Sequence, residues 1–410
     1  MQARWRIGSL FGIPLYIDPS WLFIVALVTV GYSLDWQSVH PEWGSVRIWS
    51  AGLVMALLLF GSVLLHELGH SLVALSQGIK VNSITLFLFG GVAAIEQESK
   101  TPGKAFQLAI AGPAVSLGLF GLTLLLATVT TGLAQVLAAN LAQVNLLLAL
   151  FNLIPALPLD GGQVLKALIW KITGNRFQGV HWAARTGQTL GSVAIAGGLG
   201  LGILRGQFIG FWVALLGWFV LRNATAYDRL TDLQEGLQQL TAADASSRDF
   251  RVVDAEITLR QFADTYLLEE NRPTVYFAAS EGRYRGQVAA EDLRRVERSQ
   301  WETQSLHAIV HALSDIPTVL ETTPLLEVIE TLEAKTLPWI TILSPAGAVS
   351  GVIDRGDIVR AVAKRMNIQI PDAEITRIKK EGTYPPGLQL PALAKLSEIT
   401  TSTVSKDTQP

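Results

Sequence analysis

Apolar residues form long unbroken runs over the first half of this chain. Over the second half they fall into short, strand-like or helix-spaced groups. A membrane-crossing helix needs about 20 mostly apolar residues. Six stretches meet that length, near residues 19–36, 48–77, 105–131, 139–157, 183–204 and 208–225. The second is longer than a span requires, which predicts a tilt or a projecting end. Asp18 and Pro19 precede the first run and no small-residue cleavage site follows it, so it reads as a span rather than a removable leader. Further on, helix-spaced apolar groups near 258–270 and 323–335 are each followed by a β-prone run, at 274–277 and 339–343.

Composition sharpens this division. Charged residues make up 16% of the 410 positions, where a soluble domain carries about 25%. The deficit is confined to one half. Residues 1–230 hold 13 Lys/Arg and 8 Asp/Glu, whereas residues 231–410 hold 19 and 26. The pattern predicts a membrane-embedded domain over 1–230 and a soluble one after it, with the break near 222–230. A net charge of −2 gives no basic field for nucleic acid. The chain has no cysteine, which excludes disulfides, thiolate metal sites, iron–sulfur clusters and cysteine nucleophiles.

Lys/Arg placement predicts orientation. Arg4 and Arg6 precede the first span; Lys80, Lys100 and Lys104 follow the second; Lys166, Lys171 and Arg176 follow the fourth; Arg222 and Arg229 follow the sixth. The opposite loops carry only Arg47 and Arg205. Both termini are therefore expected in the cytoplasm. The C-terminal ends of spans two and four then meet at the cytoplasmic side.

Those two ends carry the chemistry. Span two contains His66-Glu67-Leu68-Gly69-His70. On a helix, residues i and i+4 share a face, so both imidazoles can reach one ion, with Glu67 beside them as a general base. Two imidazoles suit zinc and leave room for a third ligand. Ionisable groups in a span are costly to insert and mark function; the alternative reading is a polar cluster, a proton relay or a transport site. The end of span four reads Asn152-Leu153-Ile154-Pro155-Ala156-Leu157-Pro158-Leu159-Asp160-Gly161-Gly162. Asp160 is the only acidic residue between Glu98 and Asp228. Pro155 and Pro158 cannot continue a regular helix, and broken backbone at membrane depth is tolerated where it lines a cavity. Asp160 is thus the expected third ligand; the alternative is a helix-capping aspartate.

Together, H-E-L-G-H and N-x-x-P-x-x-P-L-D-G-G resemble the site-2 protease family, over roughly residues 5–225. The resemblance implies a polytopic α-helical membrane protein with about six transmembrane helices. It also implies one Zn2+ held by His66, His70 and Asp160, with Glu67 as general base and Asn152 in contact with the substrate carbonyl or backbone. An interhelical hydrogen bond is the other reading of Asn152. Residues 85–93 resemble the family's edge strand or loop near the active site. Ala111-Gly112-Pro113-Ala114 is expected to serve helix packing. The family often has Arg after the paired glycines, and this chain has Gln163. The implied substrate is a membrane-spanning helix that unwinds locally, within membrane lipid.

A repeat organises the second half. Gly286–Leu293 resembles Gly351–Ile358 at an offset of 65 residues. Two helix–strand–strand–helix copies over 245–368 resemble a tandem pair of CBS domains, a soluble α/β module. That resemblance implies an adenine nucleotide on Asp292 or Asp357; the alternative is a dimerisation or substrate-gating module, with a homodimer through the CBS pair. The usual preceding Thr is Ala289 in one copy and Asp354 in the other. Residues 369–410, with Tyr384-Pro385-Pro386, are expected to be a flexible tail. His307 and His311 are expected on a helix as surface residues, and His181 in the loop before span five.

The leading expectation is an intramembrane zinc protease with a cytosolic CBS regulator in a bacterial-type plasma membrane; the sequence leaves a thylakoid or plastid membrane open. The competing classes are a CBS-regulated transporter and a catalytically inactive membrane scaffold.

Overall fold

The computed structural model describes residues 4–88, 90–269 and 275–385. Contacts divide the chain into two compact units, Met1–Thr231 and Asp232–Pro410.

The first unit opens with a hairpin, β1 (Trp5–Leu10) and β2 (Ile13–Ile17), followed by α1 (Ser20–Val39) and α2 (Ser45–Ser76). A second hairpin follows, β3 (Val81–Phe87) and β4 (Gly90–Ile95), then α3 (Pro102–Val129) and α4 (Leu133–Asn152). The last helices are α5 (Asp160–Thr173), α6 (Arg176–Leu199, prolonged by a π-helical turn at Gly200–Leu204) and α7 (Phe208–Gln239), which continues past the unit boundary. Among the described residues, six helices are long and apolar enough to cross a membrane: α1, α2, α3, α4, α6 with its π turn, and α7. Their exposed apolar side chains, such as Leu125, Leu147 and Phe208, are what lipid contact requires. Without a hydrophobic drive between helices in lipid, small residues set the crossings. On α2 these include Ala51, Gly52, Ala56, Ser62, Gly69 and Ala74, all buried.

The four strands form one sheet in the order β1-β2-β3-β4, with β2 and β3 parallel and the hairpins antiparallel. Ile13, Leu15, Val81 and Ile84 of this sheet pack on Leu68 and Ala74 of α2. The sheet is thereby fixed beside the His66–His70 turn, with β4 at its edge.

The second unit carries two copies of one motif. The first is β5 (Phe250–Asp254), α8 (Leu259–Tyr266), β6 (Val275–Ser280) and β7 (Arg283–Val288), then a 3-10 turn at Ala290–Arg295 and β8 (Val310–Ala312). The second is β9 (Thr318–Leu320), α9 (Leu325–Ala334), β10 (Trp339–Leu343), β11 (Val349–Asp354) and α10 (Arg355–Arg365), followed by α11 (Asp372–Glu381). In each copy the first strand pairs parallel with the second and the second antiparallel with the third. Val275 and Phe277 of the first copy pack with Val349 and Val352 of the second. One substitution explains a difference between the copies. Asp354 caps α10 in a reciprocal pair with Asp357. Its counterpart Ala289 has no capping group, and residues 290–295 form only a 3-10 turn.

Several boundaries differ from the sequence pattern. The sixth span does not end near 225: α7 runs to Gln239 through Arg222, Asp228 and Arg229, because charge ends an apolar run without breaking a helix. The fourth helix covers 133–152 rather than 139–157, since Pro155 and Pro158 end it early. His181 lies within α6 rather than in a loop, because Asn175 starts that helix by accepting from the backbone N–H groups of Phe177 and Gln178. His307 and His311 do not share a helix: His307 lies in a 3-10 turn and His311 on β8. The expected flexible tail begins with order, since Ile375 and Ile378 of α11 are buried in the second copy's core and Tyr384 packs against it. The rest of that tail, residues 386–410, lies outside the described residues.

Candidate metal centre

Three donor atoms converge where α2, α3 and α5 meet. His66 and His70 are one turn apart on α2, and both are buried. Asp160 is the first residue of α5. Its position depends on the chain between α4 and α5, which turns back so tightly that a Cβ on Gly161 would overlap the Leu153 and Ile154 carbonyls. The fully buried Leu157 anchors this connection against Val180, Ala183 and Ala184 of α6. Asp160 Oδ2 lies 3.1 Å from His66 Nε2 and 3.3 Å from His70 Nε2, and the two Nε2 atoms are 3.3 Å apart.

The chemistry of this donor set fits zinc. Ligands about 2.0–2.1 Å from a tetrahedral zinc stand about 3.3 Å from one another. The opposite ring nitrogens are also held: His70 Nδ1 is 2.7 Å from the Leu108 carbonyl oxygen, and His66 Nδ1 is 2.9 Å from Ser116 Oγ. The Leu108 oxygen can only accept, so His70 Nδ1 carries a hydrogen and its neutral ring presents a lone pair at Nε2. Among the described residues, His66, His70 and Asp160 are the one group of three or more His or carboxylate side chains with this convergence.

Glu67 lies on the adjoining face of α2, against β4. A Cβ on Gly91 would fall 2.6 Å from Glu67 Cγ, so the bare backbone of Gly91 makes room for this side chain. Gly112 does the same for His66 and His70: a Cβ there would overlap the Nε2 atoms of both histidines. Sequence reasoning gave Gly112 a packing role and missed Ser116 and Leu108; a small or hydroxylated residue in a span has many packing explanations. Asn152 is the last residue of α4 and half-buried, with no side-chain hydrogen-bond partner among the described residues.

The remaining candidates belong to the second unit. Asp292 is buried, with His311 Nε2 at 2.5 Å and Arg295 at 2.8 Å. Asp357 is buried against Lys379 of α11 at 2.8 Å and Arg360 at 3.2 Å. Lys379 also reaches Asp354 at 2.9 Å. Burial and the neighbouring Asp354 push the Asp357 carboxyl up to about 6, although Lys379 opposes this. Both aspartates are thus engaged within the chain.

The chain is similar to known proteins in both halves. The model of peptidase family M50 matches residues 54–139 and 126–191, and that of the CBS domain matches 310–364. Protein sll0528 of Synechocystis sp., which is assigned to the zinc metalloproteases, is 43% identical over 88% of this chain and 96% of its own. Zinc metalloprotease MJ0392 of Methanocaldococcus jannaschii is 26% identical over 88% of this chain and 97% of its own. The solved site-2 protease from the same archaeon aligns with 55% of this chain and 95% of its own, at 30% identity and a TM-score of 0.41.

Proposed function

The chain belongs to peptidase family M50, the site-2 proteases, and from that premise we propose how its residues divide the work of hydrolysing a peptide bond at the membrane. It is a zinc-dependent intramembrane endopeptidase with a CBS module. His66, His70 and Asp160 hold the zinc, which supplies Lewis acidity when bound. The convergence of their donor atoms within 3.3 Å beside Glu67 is the observation that carries this assignment.

Glu67 acts as the general base. Its carboxylate takes a proton from the water whose oxygen attacks the scissile carbonyl carbon. It then delivers a proton to the amide nitrogen as the C–N bond breaks, leaving a carboxylate and an amine. The substrate is a transmembrane segment that unwinds locally, because a helix keeps its backbone groups paired internally. Among the described residues β4 has a sheet partner on one side only, so an extended substrate can pair with its free edge and run past Glu67. The Asn152 amide holds the substrate carbonyl or backbone.

Co-expression with a panel of single-span substrates tests the assignment. Glu67→Gln is expected to abolish a specific product while protein level and bound zinc are retained. Equal product from both forms would remove Glu67 as the base.

The Lys/Arg pattern supports cytoplasmic termini, and the bacterial-type architecture supports a plasma membrane. The absence of cysteine makes this directly measurable. A single cysteine at Pro41 should react with an impermeant thiol reagent on whole cells, and one at Lys100 only after lysis. The CBS pair acts as the regulatory or substrate-gating module. An adenine nucleotide at Asp292 or Asp357 would have to displace the side chains that now engage them. Calorimetric titration with ATP and AMP tests nucleotide control, and the absence of heat would count against it.

A further inference from the structure

Both metal-binding rings lean on one face of α3. Leu108, Gly112 and Ser116 follow at successive four-residue steps, so they share that face. The Leu108 carbonyl meets His70 Nδ1, the bare Gly112 backbone faces both Nε2 atoms, and Ser116 Oγ meets His66 Nδ1. The close approach is general along this crossing: a Cβ on Gly69 of α2 would fall 3.0 Å from the Ala111 carbonyl oxygen of α3.

The two contacts differ in one respect. A carbonyl only accepts, so the tautomer of His70 is fixed by the backbone. A serine hydroxyl donates or accepts, so the tautomer of His66 depends on where the Ser116 hydrogen goes. If Nε2 of His66 gives its lone pair to a metal ion, the hydrogen of the neutral ring sits on Nδ1, and the Ser116 oxygen at 2.9 Å is placed to accept it. Ser116 is fully buried.

We propose that Ser116 is a positioning residue of the metal centre. Its oxygen accepts the Nδ1 hydrogen of His66 and keeps Nε2 unprotonated and aimed at the point shared with His70 Nε2 and Asp160 Oδ2. Ser116 touches neither metal nor substrate and acts through His66. The proposal rests on the reading of His66 as a ligand.

The test uses the purified full-length protein in detergent, with zinc affinity measured by chelator competition. Ser116→Ala is expected to weaken zinc binding by about 10–100-fold, with Ser116→Thr, which keeps the hydroxyl, staying close to wild type. Melting is followed with and without zinc. A positioning role shrinks the stabilisation that zinc confers, whereas a merely structural α2–α3 hydrogen bond lowers both melting temperatures equally and leaves zinc affinity intact. That second pattern would overturn the proposal. His66→Ala separates the two readings. If it leaves zinc affinity unchanged, the ligand assignment itself fails. If it abolishes binding while Ser116→Ala does not weaken it, the ligand assignment stands and the positioning role falls.

Discussion

Single residues set the tolerances of this site. Gly112 offers no donor atom, yet any side chain there overlaps both histidine Nε2 atoms. Gly112→Ala is therefore expected to reduce zinc affinity by at least about 100-fold, measured by chelator competition, with the helical circular dichroism retained. The histidine and glutamate positions were legible in the sequence because the four-residue spacing of His66 and His70 has a geometric meaning on any helix. Asp160 was legible because it stands alone among acidic residues over a long apolar stretch. Leu108 was not, because the group it offers is a backbone carbonyl that every residue possesses. His311 shows the opposite failure. Its four-residue spacing from His307 suggested a helix, but the strand pairing of Val310–Ala312 with β7 decided the local structure.

At the level of elements, two features meet at Glu67: the His66–His70 turn of α2 and the edge of β4. Gly91 of β4 faces Glu67 with bare backbone, and a Cβ there would fall 2.6 Å from Glu67 Cγ. Gly91→Ala is expected to preserve the sheet and bound zinc while lowering the cleavage rate by roughly tenfold or more, because the added methyl pushes the carboxylate out of position. Progress curves on a co-reconstituted substrate, with zinc content measured in parallel, check this. The β1–β2 hairpin escaped the sequence reading. Its first strand is exposed throughout, so it lacks the buried-face alternation that marks most strands. α5 is held at its far side by Lys166, whose ammonium lies 2.8 Å from Glu98, with Arg176 at 3.2 Å. Partial burial opposes ionisation of Glu98, but these two cations hold its carboxyl below the usual range. This tie lies six residues along the helix from Asp160.

At the scale of the whole molecule, two units with separate cores respond to different variables. In the second unit, Asp357 titrates near 6 when folded against 3.8 for an ordinary aspartate. The folded state binds this proton more tightly than the unfolded chain. Its contribution is therefore most favourable below pH 4, declines as pH rises from about 4 to about 6, and is level above that, a change of at most about 3 kcal/mol. Thermal unfolding of a fragment beginning at Asp232 should show this as a pH-dependent difference from Asp357→Asn confined to that window. The first unit responds to zinc instead. Two ring nitrogens and a carboxylate oxygen converge on a single point, and an ion bound there stabilises the folded unit relative to the unfolded chain. A newly made chain short of metal lacks that stabilisation in the membrane, where proteolytic quality control removes the less stable population first. Cellular abundance of this protease should then follow zinc supply, even for a Glu67→Gln form that cuts nothing. The same three atoms would thus link the enzyme's lifetime to the nutritional state of the cell, and a pulse-chase under zinc limitation would read out that link.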